Sequence, residues 1–225
     1  MSKRLAAAVA AAMVIGFCGT GGGSAAADPA PVQPAPVQLS QARSAAAATV
    51  PAASNFISGL ADRAIDDVTN PALSDQEKIQ RFRQLLATSF DVPYVARFVL
   101  GRYWRQATPE ERDEYTKLFE DFVVKVYADR FHQYGGQKLQ VGAAMRQDDD
   151  VMVNSNVVDD GKPPVRVDWK LRPDGETFKI VDVIVEGVSM AVTQRDDFAA
   201  TIQAKGGKVA GLIEALRQKV QTASN

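Results

Sequence analysis

The 225-residue chain has one cysteine, one histidine and almost no charge imbalance, with 26 Lys and Arg against 27 Asp and Glu. Each shortage excludes a class of chemistry. A Cys/His zinc site and a disulfide framework both need several such side chains, and neither can be assembled. His132 is the sole imidazole available as a general base. It falls near the end of a helical stretch with no nucleophile beside it to activate, where a lone histidine suits the negative end of the helix dipole. The near-neutral balance lacks the basic excess with which nucleic-acid binders displace counterions. Asp148-Asp149-Asp150 lacks the spaced ligands and closing Glu of a calcium loop and reads as a solvated hairpin turn. No catalytic residue, metal or cofactor is expected from this inventory.

Lys3 and Arg4 precede an apolar run from Leu5 to Phe17, and Ala25-Ala26-Ala27 follows. A basic start, a short apolar stretch and an A-x-A ending predict a secretory signal over residues 1–27, cleaved before Asp28. The run is too short to span a bilayer comfortably, and no second run reaches that length. Bulky Phe17 before Cys18 disfavours a lipoprotein site. Cleavage removes the one cysteine and takes the net charge from −1 to −3. The expected product is exported, with a bacterial periplasm as its destination. Residues 28–53 are rich in Ala and Pro and lack aromatics, which predicts a flexible arm that buries too little apolar surface to order itself. Residues 54–225 form the expected domain.

Within that domain Phe56, Ile57, Leu60, Ala64, Ile65 and Val68 recur at helical spacing up to Asn70-Pro71. Ser74 and Glu77 predict a capping box, Asp91 with Pro93 a short helix ending near Gly101, and Thr108-Pro109-Glu110-Glu111 the start of a long helix reaching about Tyr134. After Gly136 the period changes. Lys138–Met145, Val151–Val158, Pro164–Arg172 and Thr177–Val188 read as strands, and two helices follow, from Thr193 and from Lys208. The fold class is therefore α+β, with helices packed on an antiparallel sheet of about four strands.

The last strand carries apolar residues on both parities: Phe178, Ile180 and Ile184 on one, Val181, Val183 and Val185 on the other. Both faces need cover, by more core or by a ligand. Tyr94, Phe98, Tyr103 and Trp104 crowd one short segment, which suits a core, a pocket border or a partner-binding patch. Asp182 has two readings. One register sets it opposite Val167 among apolar neighbours, where it could serve a small isomerase or dehydratase as a base. A one-residue slip sets it near Arg166 and Lys170 as a paired acid.

Phe90-Asp91-Val92, then Tyr94-Val95-Ala96-Arg97-Phe98-Val99-Leu100-Gly101-Arg102-Tyr103-Trp104 and Ala107-Thr108-Pro109-Glu110-Glu111-Arg112, resemble the MlaC, or toluene-tolerance, family. So do Gly161-Lys162-Pro163-Pro164-Val165-Arg166-Val167-Asp168-Trp169 and Val185-Glu186-Gly187-Val188-Ser189-Met190. The resemblance covers about Ser54 to Val220. It implies helices and a twisted antiparallel sheet that enclose an apolar cavity, in a periplasmic carrier that sequesters phospholipid acyl chains as the soluble component of an ABC transport system, between an outer-membrane lipoprotein complex and an inner-membrane transporter. A hopanoid-associated branch of the family is an alternative. On that basis the expected lipid contacts are Tyr94, Phe98, Val99, Phe119, Phe122, Val123, Val126, Val167, Trp169, Val181, Val183 and Val185. Tyr103 and Trp104 would border the mouth, with Arg102 and Arg105 placed to meet a phosphate or to remain solvated.

Overall fold

The protein is described here by a computed structural model that covers residues 39–128 and 136–221, the side chains of residues 39–49 and of Val68 excepted. The expected signal, the first part of the arm, Phe131, His132 and Gly135 lie outside the described residues. Helix α1 (Leu39–Thr69) contains Pro51 and stops before Asn70-Pro71. It begins well before Ser54, so the expected boundary between arm and domain falls inside a helix, and Ala53 is fully buried. The physical reason is local: Ala45–Ala48 is a run of the strongest helix former.

Capping residues set the next helices. Helix α2 (Asp75–Ser89) opens on the expected box: the Glu77 amide donates to the Ser74 hydroxyl at 3.3 Å and the Ser74 amide to the Glu77 carboxylate at 2.8 Å. Helix α3 (Val92–Leu100) opens where the Tyr94 amide donates to the Asp91 carboxylate at 3.1 Å. Gly101 ends it at φ +56°, where any Cβ would stand 3.3 Å from Arg195 Cδ; a 3-10 turn, Gly101–Arg105, follows. Helix α4 is described over Pro109–Ala128. Thr108 and Glu111 exchange the two bonds of a second capping box, at 3.0 and 3.2 Å.

Strands β1 (Lys138–Gln147), β2 (Asp150–Val158), β3 (Val165–Asp174), β4 (Thr177–Val185) and β5 (Val188–Ser189) form one antiparallel meander in sequence order. The fifth strand comes from the expected Thr177–Val188 run, cut by a two-residue turn. Glu186 and Gly187 both have positive φ, +50° and +81°, as a type I′ hairpin requires. Helices α5 (Met190–Ala204) and α6 (Val209–Gln221) complete the chain. Among the described residues no helix is long and apolar enough to cross a membrane.

Two apolar cores form. In one, α1 lies across the sheet, and Ala53, Ile57, Leu60 and Ala64 pack against Val153, Val167, Trp169, Leu171, Ile180 and Val185. Beyond β4, in a core that holds no strand residue, α2 to α6 pack together around Tyr115, Phe119 and Phe198. Phe198 meets the rings of Tyr115, Phe119 and Phe122 at centroid distances of 6.3, 6.3 and 5.9 Å, tying α5 to α4.

Candidate functional site

Strand β4 decides where unfilled space lies. It pairs with β3 through Val167↔Val185, Trp169↔Val183 and Lys170↔Asp182, but then Leu171↔Ile180, so Val181 is an extra residue in a bulge. A bulge shifts side-chain parity by one. The expected alternation therefore breaks: Phe178, Ile180, Val183 and Val185 all join the α1-side core, and Val181 lies with Asp182 and Val183 in a cavity wall. The outer edge of β4 is bridged at Ile180 by Phe90 and at Ile184–Val185 by β5. Between those bridges, Val181–Val183 faces helices.

The cavity there has a volume of about 110 Å³. Its walls are Leu86, Phe90, Val92, Val95 and Val99 from α2, α3 and their junction, Phe119, Val123 and Tyr127 from α4, Val181–Val183, and Met190, Ala191 and Gln194 from α5. A larger groove of about 540 Å³ between α4, α5 and α6 adjoins it, and Tyr127, Met190 and Gln194 line both. The groove's polar side chains include Asp197 and Lys219. Burial pushes the Asp197 carboxyl above its ordinary value; Lys219 opposes that shift and neighbouring Asp196 adds to it.

Asp182 takes the register beside Lys170, yet its carboxylate lines the cavity. The Val183 and Ala191 amides donate to Oδ1 at 2.8 and 3.1 Å, and the Ser189 hydroxyl donates to Oδ2 at 2.5 Å. Ser189 in turn caps α5, accepting from the Val192 amide. Asp182 thus fastens the start of α5 to β4, and both its oxygens are engaged by the fold rather than turned to a reactant.

Of the expected lipid contacts, Val99, Phe119, Val123, Val181 and Val183 come together around the cavity, and Phe122 and Val126 line the groove. Val167, Trp169 and Val185 do not reach it. Their alternation was legible, but it points them at α1, where Trp169 Nε1 donates to the Ser155 hydroxyl at 2.9 Å. The four aromatics of residues 94–104 also lie outside the cavity wall. Tyr94, Phe98, Tyr103 and Trp104 each carry a guanidinium over the ring, from Arg172, Arg195, Arg102 and Arg112, at 4.1, 5.1, 5.1 and 5.5 Å. Such stacking accounts for aromatics that range from exposed Tyr94 to buried Tyr103 around a helical core. Arg102 also donates to the Tyr103 hydroxyl at 3.2 Å, and Arg105 is exposed. Phe90, Val92, Val95, Tyr127, Met190 and Gln194 were missed. Val92, Val95 and Val99 share a helical face, which the spacing could have revealed; Gln194 gave no signal.

The acidic turn also differs from expectation. Asp148 and Asp149 make the loop, whereas Asp150 is buried and accepts from Arg172 Nε at 3.2 Å and Lys170 Nζ at 3.3 Å. Among the described residues no group of acidic or His/Cys side chains is placed to hold a metal.

A "phospholipid-binding protein" from Ralstonia solanacearum, solved "in complex with a phospholipid", superposes with a TM-score of 0.67 at 22% identity, covering 76% of this chain and 98% of that one. The "Intermembrane phospholipid transport system binding protein MlaC" of Haemophilus influenzae is 25% identical over 144 residues, 58% of this chain and 67% of the relative. The "Toluene tolerance protein ttg2D" of Pseudomonas putida is 27% identical over 106 residues, and the match spans about half of each protein, 47% and 49%. The model of the MlaC protein family matches residues 58–218. With most of the domain covered by that match, and with the helix-flanked antiparallel sheet described above, the chain belongs to the MlaC family.

Proposed function

We propose that this protein is a periplasmic phospholipid carrier: it holds acyl chains in the cavity beside β4 and moves lipid between membranes without chemical change. The observation that carries this reading is an apolar cavity, walled by valines and aromatics, in a chain that belongs to the MlaC family. The names of the relatives, a phospholipid-binding protein and a phospholipid transport component, support the same ligand. The enclosed space is smaller than the roughly 300–1,000 Å³ of ordinary ligand sites, whereas the adjoining groove falls within that range. A chain would therefore enter where the two meet, parting α4 from α5 at Tyr127 and Met190.

Energetics explain why such a carrier works with partners. Burying two acyl chains of about sixteen carbons is worth on the order of 25 kcal/mol relative to water, at about 0.8 kcal/mol per methylene. The bilayer offers nearly the same environment, so extraction is close to balanced in free energy and slow. Docking to an outer-membrane lipoprotein complex and an inner-membrane ABC transporter would open the path and give direction. An isomerase or dehydratase reading is disfavoured, because the three donors on Asp182 leave it a structural anchor. Mass spectrometry of an organic extract of the folded protein, purified from its own host, tests the proposal. Phospholipid at near-equimolar amount is expected; folded protein without lipid overturns it.

A further inference from the structure

The apolar cavity has polar side chains in its wall at Asp182, Tyr127 and Gln194. Asp182 is spent on the fold: it accepts from the Val183 and Ala191 amides and from the Ser189 hydroxyl. Tyr127 sets its ring 5.9 Å from that of Phe82 and is engaged within the protein. Gln194 differs, because its side-chain amide has no partner among the described residues. No side-chain polar atom among those residues is buried without a partner, so the Gln194 amide opens onto accessible space. That space is the junction of the cavity with the larger groove, since Gln194 lines both. It sits one turn beyond Met190 on α5, where valines give way to Thr193, Asp197 and Thr201 in the lining. The two threonine hydroxyls are already used, donating to the Ser189 and Asp197 carbonyls at 2.8 and 2.9 Å. Gln194 is therefore the side chain of α5 that keeps an amide N–H for a ligand at this boundary.

We propose that Gln194 is a specificity-determining residue of the carrier: its Nε2 donates to an acyl ester carbonyl at the junction and selects ester-linked over ether-linked lipids. The inference rests on the carrier reading of the cavity and adds to it a linkage class and an orientation. An ester accepts hydrogen bonds and has none to give, and a glutamine amide supplies two donors. In a lipid the ester marks the point where the chain becomes the head, as the junction marks the point where apolar lining becomes polar. A chain drawn into the cavity takes its ester carbonyl out of water, and a carbonyl desolvated without a donor costs free energy. An ether brings no carbonyl to that point, so the lipid displaces solvent from the Gln194 amide and returns nothing to it.

The test uses the protein stripped of lipid and mixed with vesicles holding equal amounts of dioleoyl phosphatidylcholine and its dioleyl ether analogue. Protein is recovered and its bound lipid counted by mass spectrometry. The ester-to-ether ratio of the wild type is expected to exceed that of folded Gln194→Met by about fivefold, the scale of one neutral hydrogen bond. Gln194→Glu keeps the shape but has no donor when ionised; it is a second variant and should lose the same preference. A purely structural role for Gln194 would lower recovery of both lipids together and leave their ratio as in the wild type. That unaltered ratio, in either folded variant, overturns the ester contact and leaves the carrier reading intact. Absence of both lipids from the folded wild type overturns the carrier reading beneath it.

Discussion

The two apolar cores are built from the same residue types, yet one is filled and the other is not. Against α1, Val153, Val167, Leu171 and Ile180 are fully inaccessible, and the polar atoms of that core close on each other: the Ser155 hydroxyl donates to the Val167 carbonyl at 2.7 Å while accepting from Trp169. Against α2–α5, β4 presents Val181–Val183 at an edge without a neighbouring strand, and the helices stand off it around a cavity. The small residues Ala53 and Ala64 on α1 let that helix sit close to the sheet. The helices opposite are held apart by larger contacts, with Phe198 wedged among three aromatic rings of α4. Apolar composition by itself therefore does not mark a binding site; the spacing between elements does.

The comparison can be broken first on the filled side. Leu171→Ala removes a fully buried side chain with no space beside it to absorb the loss, and a destabilisation of about 2–5 kcal/mol is expected in denaturant titration. Lipid bound per folded molecule should not change. Ser155→Ala strips Trp169 Nε1 of its acceptor and should cost about 1–3 kcal/mol by the same measurement.

The helical side is also well packed away from its cavity, and Tyr115 sharpens that point. Its hydroxyl donates to the Ala96 carbonyl at 3.0 Å, and burial pushes the phenol well above its ordinary value. A raised folded-state value means that the unfolded chain loses this proton first. The contribution is therefore fully present below about pH 10 and is lost progressively above it. Tyr115→Phe should cost about 1 kcal/mol at neutral pH and flatten the alkaline fall in melting temperature. The smallest stability effect is expected in the cavity. Extra volume in a filled core costs about 1–3 kcal/mol, but Val123→Trp projects into existing space and should cost less than that. Its recovered lipid should nevertheless fall severalfold against wild type.

Local order was legible because it depends on neighbours in sequence. Ser74 and Glu77, Thr108 and Glu111, and Asp91 marked three helix starts by side chains that bond amides three residues away. The alternation of Val165, Val167, Trp169 and Leu171 gave a shared face, but not which layer that face would meet. For β4 even parity failed, since a bulge at Val181 leaves no trace in a run of branched residues. The aromatics of residues 94–104 misled for a related reason: Tyr94 and Phe98 find their partners in Arg172 and Arg195 on distant elements, invisible to spacing within the segment. Gln194 and Met190 acquire their place only through the packing of α5 on β4, which Asp182 fixes by accepting from Ser189 and Ala191, seven and nine residues away.

The core in which the ligand lies can be read directly. A phospholipid carrying a photoreactive group at the end of one acyl chain is loaded into the protein, irradiated, and the adduct located by peptide mass spectrometry. Adducts are expected on Val99, Phe119, Val123, Tyr127 and Val181, around the helix-side cavity. Adducts concentrated instead on Ile57, Leu60, Val153 or Trp169, in the core beneath α1, would contradict it.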